Sequence, residues 1–485
     1  MRKVLNRYTN MPLHVRASFW FLVCSFLQKG ISSLTTPIFT RLLTTDEYGQ
    51  FSVFNSWLSI LTVLITMNLF SGVYVQGLVK FDKNKREFSS AMQGLTLTLA
   101  SGWTIIYLVF HDFWNNLFSL TTVQMLSMIL IIWTSAVFQF WAVEQRVELK
   151  YQRLVALTLV ASLARPILGI ILVLKAQDKV TARILGMAIV DLFAYTWLFV
   201  LQSKRGKVFY SKQIWKYAIL FNLPLIPHYL SMSVLSGADR IMIREMIGTS
   251  EAGIYNLAYN ISLIMTMFNT ALLQTTEPWL YQKIKEKRIK DISKVAYSTF
   301  VLIAGVNVLL MALAPEVVAI FAPKSYSDAI YVIPPVVMSV YFMFAYSFFA
   351  VFEFYYEKTQ LVMIATTISA ATNVILNYIF IKLFGYVAAG YTTLACYILY
   401  AAFHYIFMRR ICIEKLNGDQ PYDLKILLLI SGCFTCVGFL FLSTYDFPVM
   451  RYSILSVLLI LIFVKRKQII TTINSMFALK KRRGV

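Results

Sequence analysis

The chain has 485 residues, a formal net charge of +22 and a composition that is 58% hydrophobic, 15% aromatic and only 14% charged. Apolar blocks recur along it, each near the roughly 20 residues that a helix needs to cross a hydrocarbon layer about 30 Å thick. A soluble protein of this length could bury a large core but would not repeat such blocks. These features therefore exclude a soluble globular protein.

Taken in chain order, the apolar blocks predict fourteen transmembrane helices, which we call spans 1 to 14. The blocks lack the polar and apolar alternation of outer-membrane barrels, so helices are favoured over strands. The predicted fold class is an all-α integral membrane protein. The approximate spans are 17–38, 50–78, 89–110, 122–143, 154–174, 184–201, 217–238, 253–275, 295–314, 330–352, 361–381, 387–407, 425–443 and 451–464.

Lys and Arg are concentrated in every second gap between the spans. The gaps on one side of the membrane, together with both ends of the chain, hold 34 of the 45 basic residues. The other side holds nine, and the remaining two, Lys29 and Arg165, lie inside spans. We call the first side the basic side. Because cytoplasmic loops carry such an excess of Lys and Arg, both termini are predicted to be cytoplasmic.

The positive charge is explained by this topology and by attraction to anionic membrane lipids, so no nucleic-acid partner is predicted. Cys433 and Cys436 have the spacing of a redox or metal site. They lie in an apolar span without a nearby His, so we expect no metal and no cofactor. A Gly-x-x-x-x-Gly-Lys-[Ser/Thr] phosphate loop is absent from the sequence, and the outer loops are short. A transporter is therefore expected rather than an enzyme.

Two matches between distant parts of the chain indicate an internal repeat. At an offset of 204 residues, the first match pairs Thr45, Glu47, Gly49 and Phe51 with Thr249, Glu251, Gly253 and Tyr255. At an offset of 208 residues, the second pairs residues 140–143 with 348–351, and Lys150 and Gln152 with Lys358 and Gln360.

Each period of this repeat contains six spans. An even number of spans preserves orientation, so the halves are predicted to be parallel and related by a pseudo-twofold axis along the membrane normal. The predicted domains are residues 1–205 with spans 1–6, residues 206–410 with spans 7–12, and residues 411–485 with spans 13–14 and a basic tail.

The repeated Thr-x-Glu-x-Gly pattern predicts a local structure at the outer side. Thr45 is expected to cap the following helix, and Glu47 to lie in its first turn near the positive end of the helix dipole. Gly49 is expected to permit a tight turn. The two copies of the pattern would hold an outer gate rather than contact a substrate.

Several stretches occur together in one order along the chain: Gln28–Gly30, Pro37–Gly49, Asp239–Arg240 ahead of Gly253, and Pro278–Trp279. In this order they resemble the polysaccharide repeat-unit flippases of the Wzx type. That family belongs to the multidrug/oligosaccharidyl-lipid/polysaccharide (MOP) exporter superfamily. The resemblance covers roughly residues 16–410.

This resemblance implies two six-helix lobes around a central cavity, followed by two further helices, in a bacterial cytoplasmic membrane. It implies passage of an undecaprenyl-diphosphate-linked oligosaccharide from the inner to the outer leaflet by alternating access. The polymerase and the chain-length regulator of the same pathway are further candidate partners. A lipid II or teichoic-precursor flippase, or a multidrug antiporter of the same superfamily, is the alternative, and a membrane enzyme of polysaccharide assembly is a third.

Two basic residues lie in the middle of their spans, where a charge is costly and usually faces a cavity. They are Lys29 in span 1 and Arg165 in span 5. Because a diphosphate concentrates negative charge and Arg binds phosphate bidentately, we predict that both residues are cavity cations that hold the substrate. The alternative is a buried ion pair with Asp191 of span 6, which is itself a candidate coupling residue.

Other charged residues are candidates for gating or for ion coupling. Asp239, Arg240 and Arg244, at the outer end of span 7, are predicted to form an ion-pair cluster that latches the outer gate. Pro278 is expected to break span 8 near its cytoplasmic end. Glu277, directly before it, is a candidate for ion or proton coupling.

Two acids and two histidines complete the candidates. Glu144 and Glu353 end spans 4 and 10, which correspond in the repeat, and are expected to make gate contacts on the cytoplasmic side. His228 and His404 are lone histidines within spans and are expected to be packing residues rather than proton relays.

The orientation can be tested by cysteine labelling in a variant that lacks the five native Cys residues. With the basic side in the cytoplasm, Cys at Ser327 reacts with a membrane-impermeant maleimide added to intact cells, because it lies on the outer side. Cys at Lys287 reacts only in inverted vesicles. The opposite pattern would contradict the predicted orientation.

Overall fold

The computed structural model describes residues 12–464, apart from the side chains at positions 14, 15, 275, 294, 461, 462 and 464. All regular secondary structure in this part of the chain is helical, with nineteen α-helices, three short 3₁₀-helices and no strand. The prediction of an all-α protein is therefore confirmed.

Eight α-helices contain the segments predicted as spans 1 to 6. Helices α3 and α5 have nine and eight residues and are too short to cross a bilayer. The bounds are α1 Leu13–Leu42, α2 Thr45–Thr66, α3 Gly72–Lys80, α4 Lys85–Val109, α5 His111–Phe118, α6 Thr122–Val147, α7 Tyr151–Val173 and α8 Lys179–Gly206.

The remaining helices contain the segments predicted as spans 7 to 14. Their bounds are α9 Lys212–Asn222, α10 Ile226–Met246, α11 Thr249–Leu263, α12 Met265–Lys285, α13 Lys290–Ala312, α14 Ala314–Phe321, α15 Ala329–Tyr355, α16 Thr359–Phe384, α17 Ala388–Lys415, α18 Leu424–Ser443 and α19 Pro448–Val464.

Eleven segments of the described chain are long and apolar enough to cross a membrane. Helix α1 is not one of them, because Ser, Gln, Lys and Thr residues interrupt its apolar sequence. Helices α11 and α12 are separated at Ile264, and α19 is shorter than the rest. The total of fourteen spans therefore stays a prediction.

The chain forms two compact units, Met1–Gly253 and Ile254–Val485. Helices α9 and α10 belong to the first unit, because α10 packs along α2 and α9 packs against α4. The predicted domains, with a first boundary at residue 205, were drawn from the repeat in the sequence and remain a prediction about that repeat. In the second unit, α15 lies at the centre and packs against α13, α17 and α18.

Three of the spans predicted as continuous helices, spans 2, 7 and 8, are interrupted. The prediction of one helix at 50–78 is wrong, because α2 ends at Thr66 and α3 begins only at Gly72. Met67 and Asn68 between them both have a φ of 51°, which a helix cannot continue through. Span 7 is divided between α9 and α10 by a 3₁₀ turn at Leu223–Leu225, which contains Pro224.

The expected break at Pro278 is also wrong. Helix α12 runs from Met265 to Lys285 with Pro278 inside it, and the interruption of span 8 falls earlier, at Ile264. Pro removes one backbone hydrogen bond but is tolerated in membrane helices whose neighbours compensate for that loss. Helix α7 likewise continues through Pro166.

The Thr-x-Glu-x-Gly pattern folds differently from the prediction. The residue that caps α2 is Thr44 rather than Thr45: its hydroxyl accepts from the Glu47 amide at 3.2 Å, and the Glu47 carboxylate accepts from the Thr44 amide at 2.8 Å. Gly49 does not form a turn, because it lies within α2. Of the three predictions for this pattern, only the position of Glu47 in the first turn of α2 is confirmed.

The two glycines of the pattern instead allow a close helix contact. A Cβ on Gly49 would lie 1.9 Å from the Thr249 carbonyl oxygen, and a Cβ on Gly253 would lie 2.2 Å from the Thr45 carbonyl oxygen. The Ser250 hydroxyl also donates to the Thr45 hydroxyl at 2.7 Å. The contact is reciprocal, since the glycine of each copy packs against the Thr carbonyl of the other copy.

The second match of the repeat has the same backbone geometry in both copies. Leu149 and Glu357, 208 residues apart, have φ values of 57° and 56°. The following amides, of Lys150 and Lys358, donate to the carbonyls of Gln145 and Glu353 at 2.8 Å in each case. Helices α6 and α15 therefore end in the same turn, as the internal repeat predicts for this loop.

The glycine contact predicts a clear effect of one methyl group. In Gly49→Ala, the added Cβ collides with a backbone carbonyl, so α2 and the first turn of α11 must separate, at a cost of about 1–3 kcal/mol. The melting temperature of the purified protein should fall. Gly102→Ala in α4 is the matched control, because a Cβ there meets nothing within 4 Å. Equal melting temperatures for the two variants would contradict this packing.

Candidate functional site

Helix α1 carries a polar face that is exposed in the first unit. Ser25, Gln28, Lys29 and Ser32 follow one another at helical spacing and are all exposed. Cys24, one turn before Gln28, is buried at the edge of this face, and α1 packs against α7. Lys29 thus lies on the exposed polar face and not in the packed face of the helix.

Arg165 lies on α7 and forms an ion pair with Asp191 of α8. The Arg165 Nε donates to Asp191 Oδ1 at 2.6 Å. Asp191 is fully buried, whereas 31% of the Arg165 side chain is exposed. The buried pair that the sequence left open as an alternative is therefore present. It does not occupy the whole guanidinium, because neither Nη atom donates to any residue that the structure describes.

Glycines bring α7 and α8 close together beside this pair. A Cβ on Gly186 of α8 would lie 2.7 Å from the Cα of Gly169 on α7. Gly169 is about one turn from Arg165, and Gly186 is a similar distance from Asp191. The helix contact therefore holds the carboxylate within reach of the guanidinium, which in turn compensates the buried charge of Asp191.

Two contacts fix the register between α1 and α7. The Cys24 side chain bonds to that of Thr158, and a Cβ on Gly169 would lie 3.4 Å from the Phe39 ring. The second contact lies later than the first in both α1 and α7, so the two helices run in the same direction. Lys29 then lies roughly one helical turn to the basic side of Arg165, at a similar depth.

A cavity of about 430 Å³ lies in the first unit between α2 and α10. Its lining combines apolar side chains with neutral hydroxyl and amide groups, and no charged residue takes part. The lining residues are Asn55, Leu58, Ser59, Thr62, Val63, Asn68, Tyr229, Met232 and Ser233. These residues could not be selected from the sequence, because nothing in a single helix shows which of its polar residues meet those of another helix.

Glu144, at the end of α6, belongs to a polar chain across three helices. Gln202 of α8 donates to Glu144 Oε2 at 2.6 Å, and Gln93 of α4 donates to Gln202 Oε1 at 2.5 Å. The sequence analysis missed both glutamines. Their only signal in the sequence is polarity at the membrane: Gln93 lies within span 3 and Gln202 directly follows span 6, and both positions are buried.

Glu353, at the end of α15, has a partner that the sequence analysis also missed. His404 Nδ1 lies 2.7 Å from Glu353 Oε1, and both side chains are fully buried. The interpretation of His404 as a lone histidine is therefore wrong. The two residues are 51 positions apart, on α15 and α17, so no local pattern in the sequence could have paired them.

The predicted outer cluster separates into two pairs. Asp239 and Arg240 are both buried in the first unit, and the Arg240 Nη1 atom lies 3.1 Å from Asp239 Oδ1. Arg244 contacts Glu245 at 3.1 Å and donates to the Phe118 carbonyl at 3.4 Å. That these residues latch an outer gate stays a prediction.

The last candidates lie apart from these groups. Glu277 on α12 is half-buried and bonds to Tyr281 one turn later. The Nδ1 atom of His228 on α10 is buried without a hydrogen-bond partner among the described residues. In the described part of the chain, no group of three His, Cys, Asp or Glu residues is arranged to hold a metal.

The family model of the polysaccharide biosynthesis proteins matches residues 14–283, more than half of the chain. The MatE family model matches residues 224–379. Both matches fall within the part of the chain that forms α1 to α16, and they overlap in α10 to α12.

Two relatives are known from Haemophilus influenzae. The Lsg locus putative protein 1 is 26% identical over 222 residues, which are 43% of this chain and 55% of that protein. An uncharacterized membrane protein is 22% identical over 372 residues, which are 73% of this chain and 87% of that protein. The chain thus spans little more than half of the first relative.

Two solved structures share the fold. The lipid II flippase MurJ, in an inward closed conformation, has a TM-score of 0.64 and 15% identity, with 92% of this chain and 99% of that chain covered. An inward-facing multidrug resistance MATE transporter of the MOP superfamily has a TM-score of 0.58 and 16% identity, with 80% and 95% covered. The chain therefore belongs to the polysaccharide biosynthesis protein family and has the fold of the MOP superfamily.

Proposed function

We propose that the protein flips undecaprenyl-diphosphate-linked oligosaccharide repeat units from the inner to the outer leaflet of the bacterial cytoplasmic membrane by alternating access. The polysaccharide biosynthesis family, the fold shared with a lipid II flippase and the uneven distribution of Lys and Arg between the loops of the two sides support this proposal. The observation that carries it is the exposed polar face of α1 with Lys29 at its centre.

An exposed lysine in the middle of a membrane helix must reach water or a partner, because a charge in contact with lipid tails is costly. Ser25, Gln28 and Ser32 surround Lys29 on the same face, so the whole face is unsuited to lipid. We infer that this face of α1 lines a water-filled cavity. Such a cavity is what a polar, lipid-linked cargo needs to pass through the membrane.

Lys29 and Arg165 are suited to the diphosphate of that cargo. They lie at similar depth on neighbouring helices, and the two Nη atoms of Arg165 form a planar pair of donors that matches phosphate oxygens. Asp191 acts as a positioning residue, because its bond to Nε fixes the plane of the guanidinium. It also neutralises part of the charge, so that the headgroup is held without being trapped.

The cavity between α2 and α10 is suited to sugar residues. Asn55, Ser59 and Thr62 lie on successive turns of α2, and Tyr229 and Ser233 on one turn of α10. Hydroxyl and amide groups can donate to and accept from sugar hydroxyls, and a Tyr ring offers an apolar face. A lining without charge fits an uncharged oligosaccharide better than a charged drug.

One alternative has a specific observation in its favour. The match to MurJ covers 92% of this chain, whereas the match to the MATE transporter covers 80%. A lipid II or teichoic-precursor flippase therefore remains the second candidate. Lipid II and the repeat units share the undecaprenyl diphosphate, so the two candidates differ in the sugar and not in the headgroup site.

No bond of the cargo is made or broken in this proposal, so the protein acts as a transporter and not as an enzyme. The movement would be driven by an ion gradient or by consumption of the cargo on the outer side. A polymerase and a chain-length regulator of the same pathway would be the partners that consume it.

The headgroup site can be tested by removing its charges without leaving one unpaired. Lys29→Gln removes one cation, and Arg165→Gln combined with Asp191→Asn replaces the ion pair by two amides. Each change should leave the protein level near normal and reduce export of surface polymer by about tenfold, the effect of losing one charge-assisted hydrogen bond. The lipid-linked intermediate, quantified by mass spectrometry, should accumulate inside the cell.

Lys175→Gln is the matched control, because Lys175 is exposed in the loop after α7 and lies outside the proposed site. Normal export by a protein carrying all three site substitutions would show that these residues are structural. Reduced export without accumulation of a lipid-linked intermediate would argue against the proposed cargo.

A further inference from the structure

The buried pair between α15 and α17 has features that the proposed function does not use. Glu353 and His404 are both fully buried and lie 2.7 Å apart. Glu353 Oε2 and His404 Nε2 are also buried, and neither reaches a hydrogen-bond partner among the described residues. The two groups therefore depend on each other for compensation of charge.

The first half of the chain has a similar pair, Glu144 and Gln202, in which only the Glu can bind or lose a proton. Glu144, in the last turn of α6, accepts from Gln202 of α8, as Glu353 in the last turn of α15 bonds to His404 of α17. The two acids are 209 residues apart, one residue from the offset of the neighbouring loops. Glu144 is only half-buried, and its amide partner does not titrate.

The number of protons on the Glu353–His404 pair follows from its burial. With one proton shared between them, the pair is neutral overall. A second proton, or the loss of the first, would leave an uncompensated charge where no surface is exposed, which is strongly unfavourable. In water, by contrast, a Glu carboxyl and a His imidazole titrate near about 4.3 and 6.5, so at pH 8 the separated groups hold no proton.

We propose that Glu353 and His404 form a binding site for one proton, which the pair keeps for as long as α15 and α17 remain packed around it. Closing the site above about pH 6.5 takes up one proton, and opening it returns that proton. Between about pH 4.5 and about pH 5.5 the separated groups already hold about one proton, so opening changes little there. The second unit would thereby respond to pH, whatever cargo the protein carries.

The groups around the pair leave it isolated from other charges. Tyr346 stacks on the His404 ring at 5.2 Å, and Tyr400 meets it edge-on at 4.5 Å. Tyr400 shares a hydrogen bond with Thr366 of α16. The other titratable residues at the basic-side ends of the packed helices form no hydrogen bond or ion pair with Glu353 or His404 within the described chain: Glu277, Tyr281, Lys283 and Glu286 of α12, Asp291 and Tyr297 of α13, Glu357 and Lys358 before α16, Tyr405, Arg409, Arg410 and Cys412 of α17, and Tyr422, Asp423 and Lys425 near the start of α18.

The protonation state can be measured directly by NMR of the purified full-length protein labelled with ¹⁵N-histidine. The chain has four His residues, and His404→Gln assigns the signal. His404→Gln is made together with Glu353→Gln, because the single change would leave a fully buried carboxyl without its partner. We expect the His404 signal to stay constant from pH 5 to pH 8.5, the range in which an ordinary imidazole changes form. A signal that titrates within this range would overturn the proposal.

Thermal unfolding gives a second and independent measurement. The folded protein keeps the shared proton and the unfolded chain loses it, so the pair's contribution to the folding equilibrium falls about tenfold for each pH unit above about 6.5. Glu353→Gln with His404→Gln places two amides in the same position and removes this dependence. The melting temperature of the wild type, measured relative to that of the double variant, should therefore fall as pH rises from 6 to 8.5.

Glu144→Gln is the matched control, since it gives two amides in the first half of the chain. Its melting temperature should differ from that of the wild type by the same amount at pH 6 and at pH 8.5. A constant difference for the Glu353/His404 double variant as well would overturn the proposal. Neither measurement uses the cargo, so the outcome is independent of the proposed function.

Discussion

A charged group within a membrane must be neutralised by a partner or must reach water, and the placement of the ionisable side chains in this protein follows from that constraint. Arg165 and Asp191 neutralise each other, as do Glu353 and His404. Lys29 lies among polar side chains on an exposed face of α1. The same physical cost thus accounts for the two ion pairs and for the polar surroundings of Lys29.

Close helix contacts at glycines hold these groups in place. Gly169 and Gly186 bring α7 and α8 together next to the Arg165–Asp191 pair, and Gly49 takes part in the reciprocal contact between the two copies of the repeated pattern. In a membrane, where burial of apolar surface does not drive helices together, small residues permit the backbone approach on which van der Waals packing depends. The polar pairs are therefore consequences of packing as much as of charge.

The helices were predictable because their apolar blocks are long, and the repeat because its two loops keep a similar sequence. The breaks at Met67 and Asn68, and the continuation of α12 through Pro278, were not predictable, because they depend on neighbouring helices that compensate the backbone. For the site, depth in the membrane could be read from the sequence, so Lys29 and Arg165 were selected. The partner of His404 could not be identified from the sequence, because pairing depends on how each helix is rotated about its axis.

In the proposed function, the protein moves a lipid-linked oligosaccharide across a bilayer. The most direct measurement uses the purified protein in liposomes that contain undecaprenyl-diphosphate-linked oligosaccharide, with a membrane-impermeant sugar-modifying reagent outside. If the protein flips this cargo, nearly all of the lipid-linked sugar becomes accessible over time in vesicles with the protein, against about half in vesicles without it. If accessibility stays at about half in both preparations, the protein does not flip this cargo.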